Sequence, residues 1–286
     1  MKHSGNSILK LSIITVNYNN CDGLRRTLDS VISQKCQDFE WIVIDGGSSD
    51  GSKELIEQHQ SSISYWCSEP DKGIYNAMNK GVGKATGEYC LFLNSGDILC
   101  DSEVIGKLNE ISFNADIISC DIYIDGVSKS KLRNSIDYIN ALWIFENTLF
   151  HQSTWIRRTS LIKCPYRENN KSISDWVFFF EALVIHNCSY QHIQMPIAVF
   201  YTGGISSKPL PHGNTDRSDF LKLYFPAKFI DDIEKEENYH YVSKCMCRMT
   251  KLSQTIMVLI VKVVCYVDYR FFKPIERFFY WKRVRY

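Results

Sequence analysis

The segment FEWIVIDGGSSDG, residues 39–51, joins a short apolar run to a turn of Asp, Gly and Ser. The run, residues 39–44, has the length and the β-branched content of a buried strand. The residues of the turn suit a strand end, because Gly tolerates unusual backbone angles and Asp and Ser bond to nearby backbone. This segment predicts a buried β-strand that ends in a polar loop.

The same order of an apolar run and a polar turn occurs four times in the first hundred residues. The runs are residues 11–16, 39–44, 63–67 and 89–93. The segments between them have helical spacing, most clearly residues 74–84. Strands that alternate with helices and are apolar on both faces predict a parallel sheet in an α/β fold. Because ligands of such sheets bind beyond the carboxyl ends of the strands, the four polar turns predict one shared ligand site.

Composition excludes several classes of function. The 286 residues include 33 Lys and Arg and 32 Asp and Glu, and a net charge of +1 predicts no nucleic-acid partner. The eleven cysteines are scattered without a CxxC pair, which predicts free thiols and no zinc site. No GxGxxG follows a strand, which argues against a dinucleotide-binding dehydrogenase. Residues 1–10 lack the apolar core of a signal peptide, so the chain is expected in the cytoplasm.

Three carboxylates stand at the predicted strand ends. Asp45 could accept hydrogen bonds from a nucleobase or ribose, and Asp71 could face the same ligand. Asp97 could hold a divalent cation against a diphosphate. Each of the three also fits an ordinary turn, in DGGS, PDKG and GD respectively. Taken singly, these residues leave both interpretations open.

Two further candidates lie beyond residue 110. Asp175 opens an apolar segment, residues 174–186, that is predicted to be a helix. It could be a general base for an acceptor hydroxyl or a charge that suits the helix dipole. His151 could contact a phosphate or the acceptor, or it could pack beside aromatic residues. The other elements predicted here are strands at residues 115–124 and 190–201, the second broken by Pro196, and a short helix at residues 155–162.

Four segments, taken in order, resemble family 2 glycosyltransferases of the GT-A fold. They are LSIITVNYNN (11–20), IDGGSSDGS (44–52), DKGIYNAMNKGVGKATG (71–87) and LFLNSGD (91–97). The resemblance covers about residues 8–110 and continues more weakly to about 205. It implies an α/β fold with a central, mostly parallel sheet flanked by helices, here with a C-terminal helical extension. It also implies a nucleotide-diphosphate sugar as donor, with Mg²⁺ or Mn²⁺ as cofactor.

The resemblance also implies roles for individual residues. Asp97 would ligate the metal, and Asp175 would be the general base of a direct displacement that inverts the anomeric centre. His151 and Trp176 would lie on the acceptor side. The residues implied at the nucleotide sugar are Thr15 and Asn17, through their backbone, with Asp45, Gly46, Ser48, Asp71, Gly73, Asn94 and Ser95.

The chain departs from the family pattern at the positions of four acids. Asn94 and Gly96 stand where the family carries acids before Asp97, which predicts weaker metal binding. Gly46 replaces the second Asp of the family's VDD, and Ser174 stands before the predicted base, where the family has Glu.

These patterns divide the chain into three parts. Residues 8–110 are the predicted nucleotide-sugar-binding half, residues 111–215 the acceptor-binding and catalytic half, and residues 216–286 a helical extension. The segments EPDKGIYNAMNKG and LNSGD are similar to bacterial members that build surface polysaccharides, which implies a saccharide or lipid-linked saccharide acceptor. Two alternatives stay open: a non-catalytic nucleotide-sugar-binding subunit, and a sugar nucleotidyltransferase, although residues 11–20 lack the Gly-rich phosphate loop usual in that class.

The C-terminal tail has the composition of a membrane-surface segment. Residues 244–286 contain ten Lys or Arg against two acids. Residues 255–267 are apolar apart from Lys262, which is shorter than the roughly twenty residues that a span needs. Residues 269–286 mix cations with aromatic rings, as interfacial segments do. The tail, residues 253–286, is therefore predicted to dock on the cytoplasmic face of the inner membrane; the alternative is a packed helix with a solvated basic face.

Overall fold

The computed structural model describes residues 11–125, 130–169, 173–201 and 213–231. The chain divides into two compact units, Met1–Arg217 and Ser218–Tyr286. Within the described residues of the first unit, nine strands form one sheet. The strands are β1 (Leu11–Asn17), β2 (Phe39–Asp45), β3 (Tyr65–Ser68), β4 (Tyr89–Phe92), β5 (Ile98–Leu99), β6 (Ile117–Asp125), β7 (Ser130–Arg133), β8 (Thr154–Arg157) and β9 (Tyr190–Tyr201).

Seven helices connect successive strands along the chain, and an eighth follows the last strand among the described residues. They are α1 (Cys21–Ile32), α2 (Ser52–Gln58), α3 (Ile74–Lys84), α4 (Val104–Asn109), α5 (Ala141–Glu146), α6 (Arg158–Lys163), α7 (Ser174–Phe180) and α8 (Gly213–Leu221). A π-helical turn, Glu181–Ile185, continues α7. The strand order is β3-β2-β1-β4-β8-β6-β9-β5, with β7 paired to β6.

Strands β1 to β4 form the parallel part of the sheet. β1 pairs in parallel with β2 and β4, and β2 with β3. Every residue of β1 is buried, as expected for a strand covered on both faces. The register pairs Leu11 with Phe39 and Asn17 with Asp45, so the polar ends of β1 and β2 lie side by side. The predicted alternation of strands and helices is confirmed here.

The two faces of β1 pack against different helices. Ile13 belongs to an apolar cluster with Leu24 and Leu28 of α1. Ile14 points to the opposite face, because successive side chains of a strand alternate. There it meets α3, where a Cβ on Gly81 would lie 2.4 Å from the Cγ2 atom of Ile14. Gly81 therefore lets α3 approach the sheet closely.

The second part of the sheet is mixed. β8 joins it to the first part by pairing antiparallel with both β4 and β6. β6 pairs in parallel with β9 and antiparallel with β7, and β5 pairs antiparallel with β9. The α/β fold is as expected, but the parallel arrangement is confined to β1–β4 and the β6–β9 pair.

The structure corrects two predicted elements. Residues 155–162 are not one helix: β8 runs to Arg157, and α6 begins at Arg158. The fully buried Trp155 and Ile156 lie in the sheet, and so short an internal strand has no periodicity that separates it from a helical turn. The helix predicted over 174–186 ends as an α-helix at Phe180. The strand over 190–201 is as predicted, with its register shift beside Pro196.

The predicted division at residue 110 falls inside the first compact unit, so that division remains a prediction. The predicted membrane-docking tail, residues 253–286, lies outside the described residues. Within the described ranges, no helix has both the length and the apolar character needed to cross a bilayer.

Candidate active site

The loops that follow β1 and β2 are tied together by their own side chains. Asn17 Nδ2 donates to Asp45 Oδ1 at 2.8 Å. The backbone N–H of Asn19 donates to Ser48 Oγ at 2.8 Å, and the N–H of Ser49 donates to Asn19 Oδ1 at 2.9 Å. Two of the predicted site loops therefore form one structure at the carboxyl edge of the sheet.

Asp45 is the centre of this structure. Its Oδ1 also accepts from Ser48 Oγ at 2.5 Å, and its Oδ2 accepts from Ser48 N at 2.9 Å and from Ser68 Oγ at 2.6 Å. Burial alone would raise the pKa of Asp45, but the hydrogen bonds from Ser48, Ser68 and Asn17 hold that pKa below its usual value. The residue is 0% exposed. As placed, Asp45 organises three loops, and its contact with a nucleobase or ribose stays a prediction.

Thr15 also has an internal side chain. It is fully buried in β1, and its hydroxyl accepts a hydrogen bond from Trp41 Nε1 at 3.1 Å. The expectation for Thr15 and Asn17 concerned their backbone, and it stays a prediction.

Asp71 lies against the glycines of the β2 loop. The N–H of Gly73 donates to Asp71 Oδ1 at 2.7 Å, which closes a tight turn. A Cβ on Gly46 would lie only 2.7 Å from Asp71 Oδ2, and one on Gly47 would lie 3.0 Å from the backbone nitrogen of Pro70. The glycine that replaces the family's second Asp therefore leaves room for the carboxylate of Asp71.

Helix α1 holds the fourth loop, Asn94–Asp97. Asn20, which caps α1, donates through Nδ2 to the backbone oxygen of Ser95 at 2.9 Å. Thr27 donates to the backbone oxygen of Asp97 at 2.7 Å and accepts from the N–H of Gly96 at 3.0 Å. Gly96 has φ of +108°, a left-handed conformation that favours glycine. All four predicted loops thus meet at one edge of the sheet.

Asp97 has the surroundings of a ligand for a cation. It is 6% exposed, and burial raises its pKa to about 7 against the opposing effects of His151, the Gln152 side chain and the Tyr201 N–H. Within the same loop, the Oδ1 atom of Asn94 is buried and has no hydrogen-bond partner among the described residues. Carboxylate and amide oxygens suit Mg²⁺ and Mn²⁺. The described residues contain no group of three or more His, Cys, Asp or Glu that could hold a metal ion, so a cation here would draw its other ligands from a diphosphate and water.

The second half of the sheet brings Asp175 to the same place. Asp175 is the second residue of α7, and its side chain is 24% exposed. Its Oδ1 accepts from the Tyr75 hydroxyl at 3.3 Å, and its Oδ2 lies 3.9 Å from His151 Nδ1. Burial alone would raise the pKa of Asp175, but His151, the Trp176 N–H and the Tyr75 hydroxyl hold it below its usual value. The carboxylate is therefore charged at neutral pH.

His151 links the fourth loop to Asp175. Its Nε2 lies 3.2 Å from Asn94 Nδ2, while its Nδ1 faces Asp175. An amide nitrogen only donates, so we assign Nε2 as the acceptor and place the proton of a neutral ring on Nδ1. Asn94, His151 and Asp175, which were predicted from separate parts of the sequence, form one chain of contacts.

Trp176 has a packing role. It is fully buried, and its Nε1 donates to the backbone oxygen of Ile144 at 2.7 Å. Its ring stacks on Phe180 with centroids 5.4 Å apart, and the guanidinium carbon of Arg217 lies 5.0 Å from its centroid. This placement does not support the predicted contact of Trp176 with an acceptor.

The sequence patterns missed three residues of this site: Asn20, Tyr75 and Gln152. Gln152 directly follows His151, and its amide contacts Asp97. Tyr75 lies inside the segment that carries the family resemblance, but at helical spacing it has the position of a core residue. Asn20 contacts Ser95, 75 residues further along the chain, and Tyr75 contacts Asp175, 100 residues further along. Only the folded chain reveals contacts at such separations.

The model of glycosyl transferase family 2 matches residues 12–179, more than half of the chain. The chain belongs to glycosyl transferase family 2. The matched range contains all four polar loops, His151 and Asp175, so the site described above lies within the family 2 region.

Named relatives agree with this membership. An uncharacterized glycosyltransferase of Mycobacterium tuberculosis is 41% identical over 101 residues, which are 35% of this family 2 chain and 38% of that relative. The chain therefore matches less than two fifths of that relative's length. A PGL/p-HBAD biosynthesis glycosyltransferase of Mycobacterium bovis is 29% identical over 175 residues, covering 58% of this chain and 67% of that protein.

A solved structure shares the fold. The crystal structure of residues 1–349 of TarS from S. aureus, in complex with UDP-GlcNAc, matches with a TM-score of 0.62 over 86% of this chain and 78% of that chain. The two sequences are 18% identical, so the likeness concerns the fold alone.

Proposed function

We propose that this chain transfers a sugar from a nucleotide-diphosphate sugar to a hydroxyl of a saccharide acceptor and inverts the anomeric centre. The observation that carries the proposal is the chain of contacts Asn94–His151–Asp175. It joins the loop that we propose to face the donor's diphosphate to the carboxylate that we propose as base, and a single displacement needs both functions.

In the proposed reaction, the acceptor oxygen attacks the anomeric carbon from the face opposite the leaving group. The Oδ2 atom of Asp175 takes the proton of that hydroxyl. The bond between the anomeric carbon and the diphosphate oxygen breaks, and the nucleoside diphosphate leaves with the electron pair. His151 lies between the base and the donor loop: its Nδ1 is 3.9 Å from Asp175 Oδ2, and its Nε2 accepts from Asn94 Nδ2.

The donor is proposed to lie over the four loops, with Asp71, Gly73, Gly46 and Ser48 on the nucleotide side and Asn94 and Ser95 nearer the diphosphate. The contact of Asp71 with Gly46 and the turn that Asp71 closes at Gly73 support this placement, because they hold the two loops together. Asp97 would hold Mg²⁺ or Mn²⁺, with the buried Asn94 Oδ1, which has no hydrogen-bond partner among the described residues, as a further oxygen ligand. The cation would neutralise charge on the departing diphosphate.

The acceptor is proposed to be a lipid-linked saccharide in the synthesis of a bacterial surface polysaccharide. The support comes from the similarity of EPDKGIYNAMNKG and LNSGD to such family members and from the relative whose name places it in PGL/p-HBAD biosynthesis. A thermal-shift screen of nucleotide sugars with Mg²⁺ or Mn²⁺ identifies the donor, because a ligand that binds the folded state stabilises it.

Asp175→Asn tests the base. The amide keeps the shape of the side chain but cannot take the acceptor proton, so we expect donor affinity to stay the same while turnover falls by about 10²- to 10⁴-fold. Donor affinity is measured by calorimetry, and turnover by release of nucleoside diphosphate in the presence of acceptor. The matched control is Asp29→Asn, at an exposed position of α1.

The outcomes separate the alternatives. Turnover by Asp175→Asn at the wild-type rate contradicts the assignment of the base. A wild-type chain that binds the donor but transfers nothing to any acceptor of a saccharide panel is a non-catalytic subunit. Formation of a nucleotide sugar from a nucleoside triphosphate and a sugar phosphate identifies a nucleotidyltransferase.

A further inference from the structure

Tyr75 reaches from the donor side of the site to the proposed base. It is the second residue of α3, which begins directly after Gly73. Its side chain is buried, and its hydroxyl lies 3.3 Å from Asp175 Oδ1, across 100 residues of sequence. No pattern in the sequence assigns a function to this hydroxyl.

The Tyr75 hydroxyl also lies at the first turn of α7. That helix has Ile173 at its N-cap position and no hydrogen bond from a capping side chain. The hydroxyl of Ser174 accepts from the N–H of Arg167 at 2.6 Å. The backbone N–H groups of Ser174 and Asp175 instead contact the Tyr75 hydroxyl. Because the first N–H groups of a helix lack partners within it, Tyr75 supplies from α3 the acceptor that α7 lacks.

This arrangement fixes the direction of the phenolic proton. The oxygen of Tyr75 faces backbone donors, so its own proton is left for the carboxylate of Asp175, which only accepts. The ring is held by stacking on Tyr166, with centroids 5.7 Å apart and planes at 26°. Tyr166 in turn packs edge-on against Phe92 at 5.3 Å. The ring of Tyr75 is therefore held by aromatic packing while its hydroxyl donates to Asp175.

We propose that Tyr75 is a positioning residue for the base: its hydroxyl occupies Oδ1 of Asp175, so that Oδ2 is the oxygen left to take the acceptor proton. This inference rests on the proposed function, since it needs Asp175 to be the base. Oδ2 lies 3.9 Å from His151 Nδ1, so it has no short hydrogen bond to that ring. This agrees with Oδ1 as the oxygen that accepts from Tyr75 and Oδ2 as the oxygen that takes the proton.

The charge of Asp175 gives separate support. Burial acts to raise the pKa of this carboxylate, and the Tyr75 hydroxyl is one of the groups that lower it below its usual value. Removing the hydroxyl should therefore make Asp175 easier to protonate as well as less well oriented.

Tyr75→Phe tests the proposal. We expect kcat to fall by about 10- to 100-fold, because a hydrogen bond to a charged group is lost, while the KM for the donor stays the same. The acid limb of the kcat–pH profile should move to higher pH, because the pKa of Asp175 rises when it loses a donor. The matched control is Tyr166→Phe, which removes a hydroxyl of the same aromatic stack that has no hydrogen-bond partner among the described residues. It should keep the wild-type kcat and profile.

Two results would overturn the proposal: an unchanged acid limb in Tyr75→Phe, or equal losses in Tyr75→Phe and Tyr166→Phe, which would assign the effect to ring packing. If Tyr75→Phe does not fold, 3-fluorotyrosine at position 75 decides the matter. It keeps the ring and the hydroxyl but makes the phenol a stronger hydrogen-bond donor, so the acid limb should move to lower pH. An unmoved limb counts against the proposal.

Asp175→Asn separates the failure of this proposal from the failure of the proposed function. Turnover by Asp175→Asn at the wild-type rate refutes the proposed function. An inactive Asp175→Asn beside a Tyr75→Phe variant with wild-type kcat and pH profile refutes only the role of Tyr75.

Discussion

Gly46 shows how one small residue changes the role of a distant one. The sequence shows that a carboxylate of the family pattern is missing at this position, so the site has one acid fewer. The structure shows Asp71 Oδ2 only 2.7 Å from where a Cβ of residue 46 would stand. A carboxylate at residue 46 would clash with the side chain of Asp71 and repel its charge. The sequence could not predict this contact, because residues 46 and 71 lie at the ends of different strands.

The carboxylates of the site were predictable by position but not by environment. Asp45, Asp97 and Asp175 all lie at the edge that their sequence positions indicate. Their accessibilities differ because of residues elsewhere in the chain: Ser68 of β3 helps to enclose Asp45, and Gln152 and Tyr201 enclose Asp97. Asp175 is more exposed than the other two, with 24% of its side chain exposed, which suits a base.

His192 provides a test of charge in the second part of the sheet. Its Nε2 lies 2.8 Å from Asp121 Oδ1, and its Nδ1 lies 2.7 Å from Asp137 Oδ1. Burial opposes the charged ring, but Asp137 and Asp121 raise the pKa of His192 above its usual value. A raised pKa means that the charged ring stabilises the fold fully below the unfolded-state pKa of about 6.5. This contribution is lost as the pH rises through the folded-state pKa.

We therefore expect the free-energy difference between wild type and His192→Gln to shrink as the pH rises above about 6.5. Urea unfolding at a series of pH values measures it. His186→Gln, at an exposed position, is the control. A difference that stays constant or grows with pH would contradict the charged assignment.

At the scale of elements, α3 was the most predictable and the most informative. The pattern of residues 74–84 predicts its bounds as the structure has them. The sequence does not show that Gly81 faces Ile14 while Gly83 faces open space. β8 was less predictable, since its four residues gain their strand character from pairing with β4 and β6 rather than from local periodicity.

Two glycines of α3 give a matched pair of variants. Gly81→Ala forces a methyl group to within 2.4 Å of Ile14, a buried and stiff side chain, so we expect a loss of about 1–2 kcal/mol in the free energy of unfolding. Gly83→Ala meets no atom within 4 Å and should gain about 0.5–1 kcal/mol from helix propensity. Denaturant unfolding measures both variants. Equal effects at the two positions would show that the close approach of α3 to β1 does not limit the residue at position 81.

For the whole molecule, the sequence predicts the first part of the sheet better than the second. Strands β1 to β4 are joined by short crossovers, and each unit carries its own alternation of apolar and polar residues. The second part depends on pairings between distant segments: β6 pairs with β9 across the intervening β7, β8 and three helices. Local periodicity does not encode such partners, so the mixed character of the sheet emerges only in three dimensions.

The proposed docking of residues 253–286 on a membrane is also a question for the whole protein. Its support is the basic, aromatic and apolar composition of that tail. We expect deletion of residues 253–286 to move the protein out of the membrane fraction of a cell lysate, and replacement of the Lys and Arg of the tail by Gln to do so in part. The activity of the truncated protein on a water-soluble acceptor is the control for folding. An unchanged distribution of the truncated protein would contradict the proposal.

The contact from Tyr75 to α7 has a consequence for how such an enzyme diversifies. On the proposed role of Tyr75, we expect donor preference and turnover to change together, because a mutation in residues 71–73 that shifts the start of α3 also shifts Tyr75. A library that seeks a new donor should therefore randomise residues 71–73 and the surroundings of Tyr75 jointly. A library that seeks a new acceptor has a different starting point, the segment from β6 to His151, where a change does not begin by moving α3.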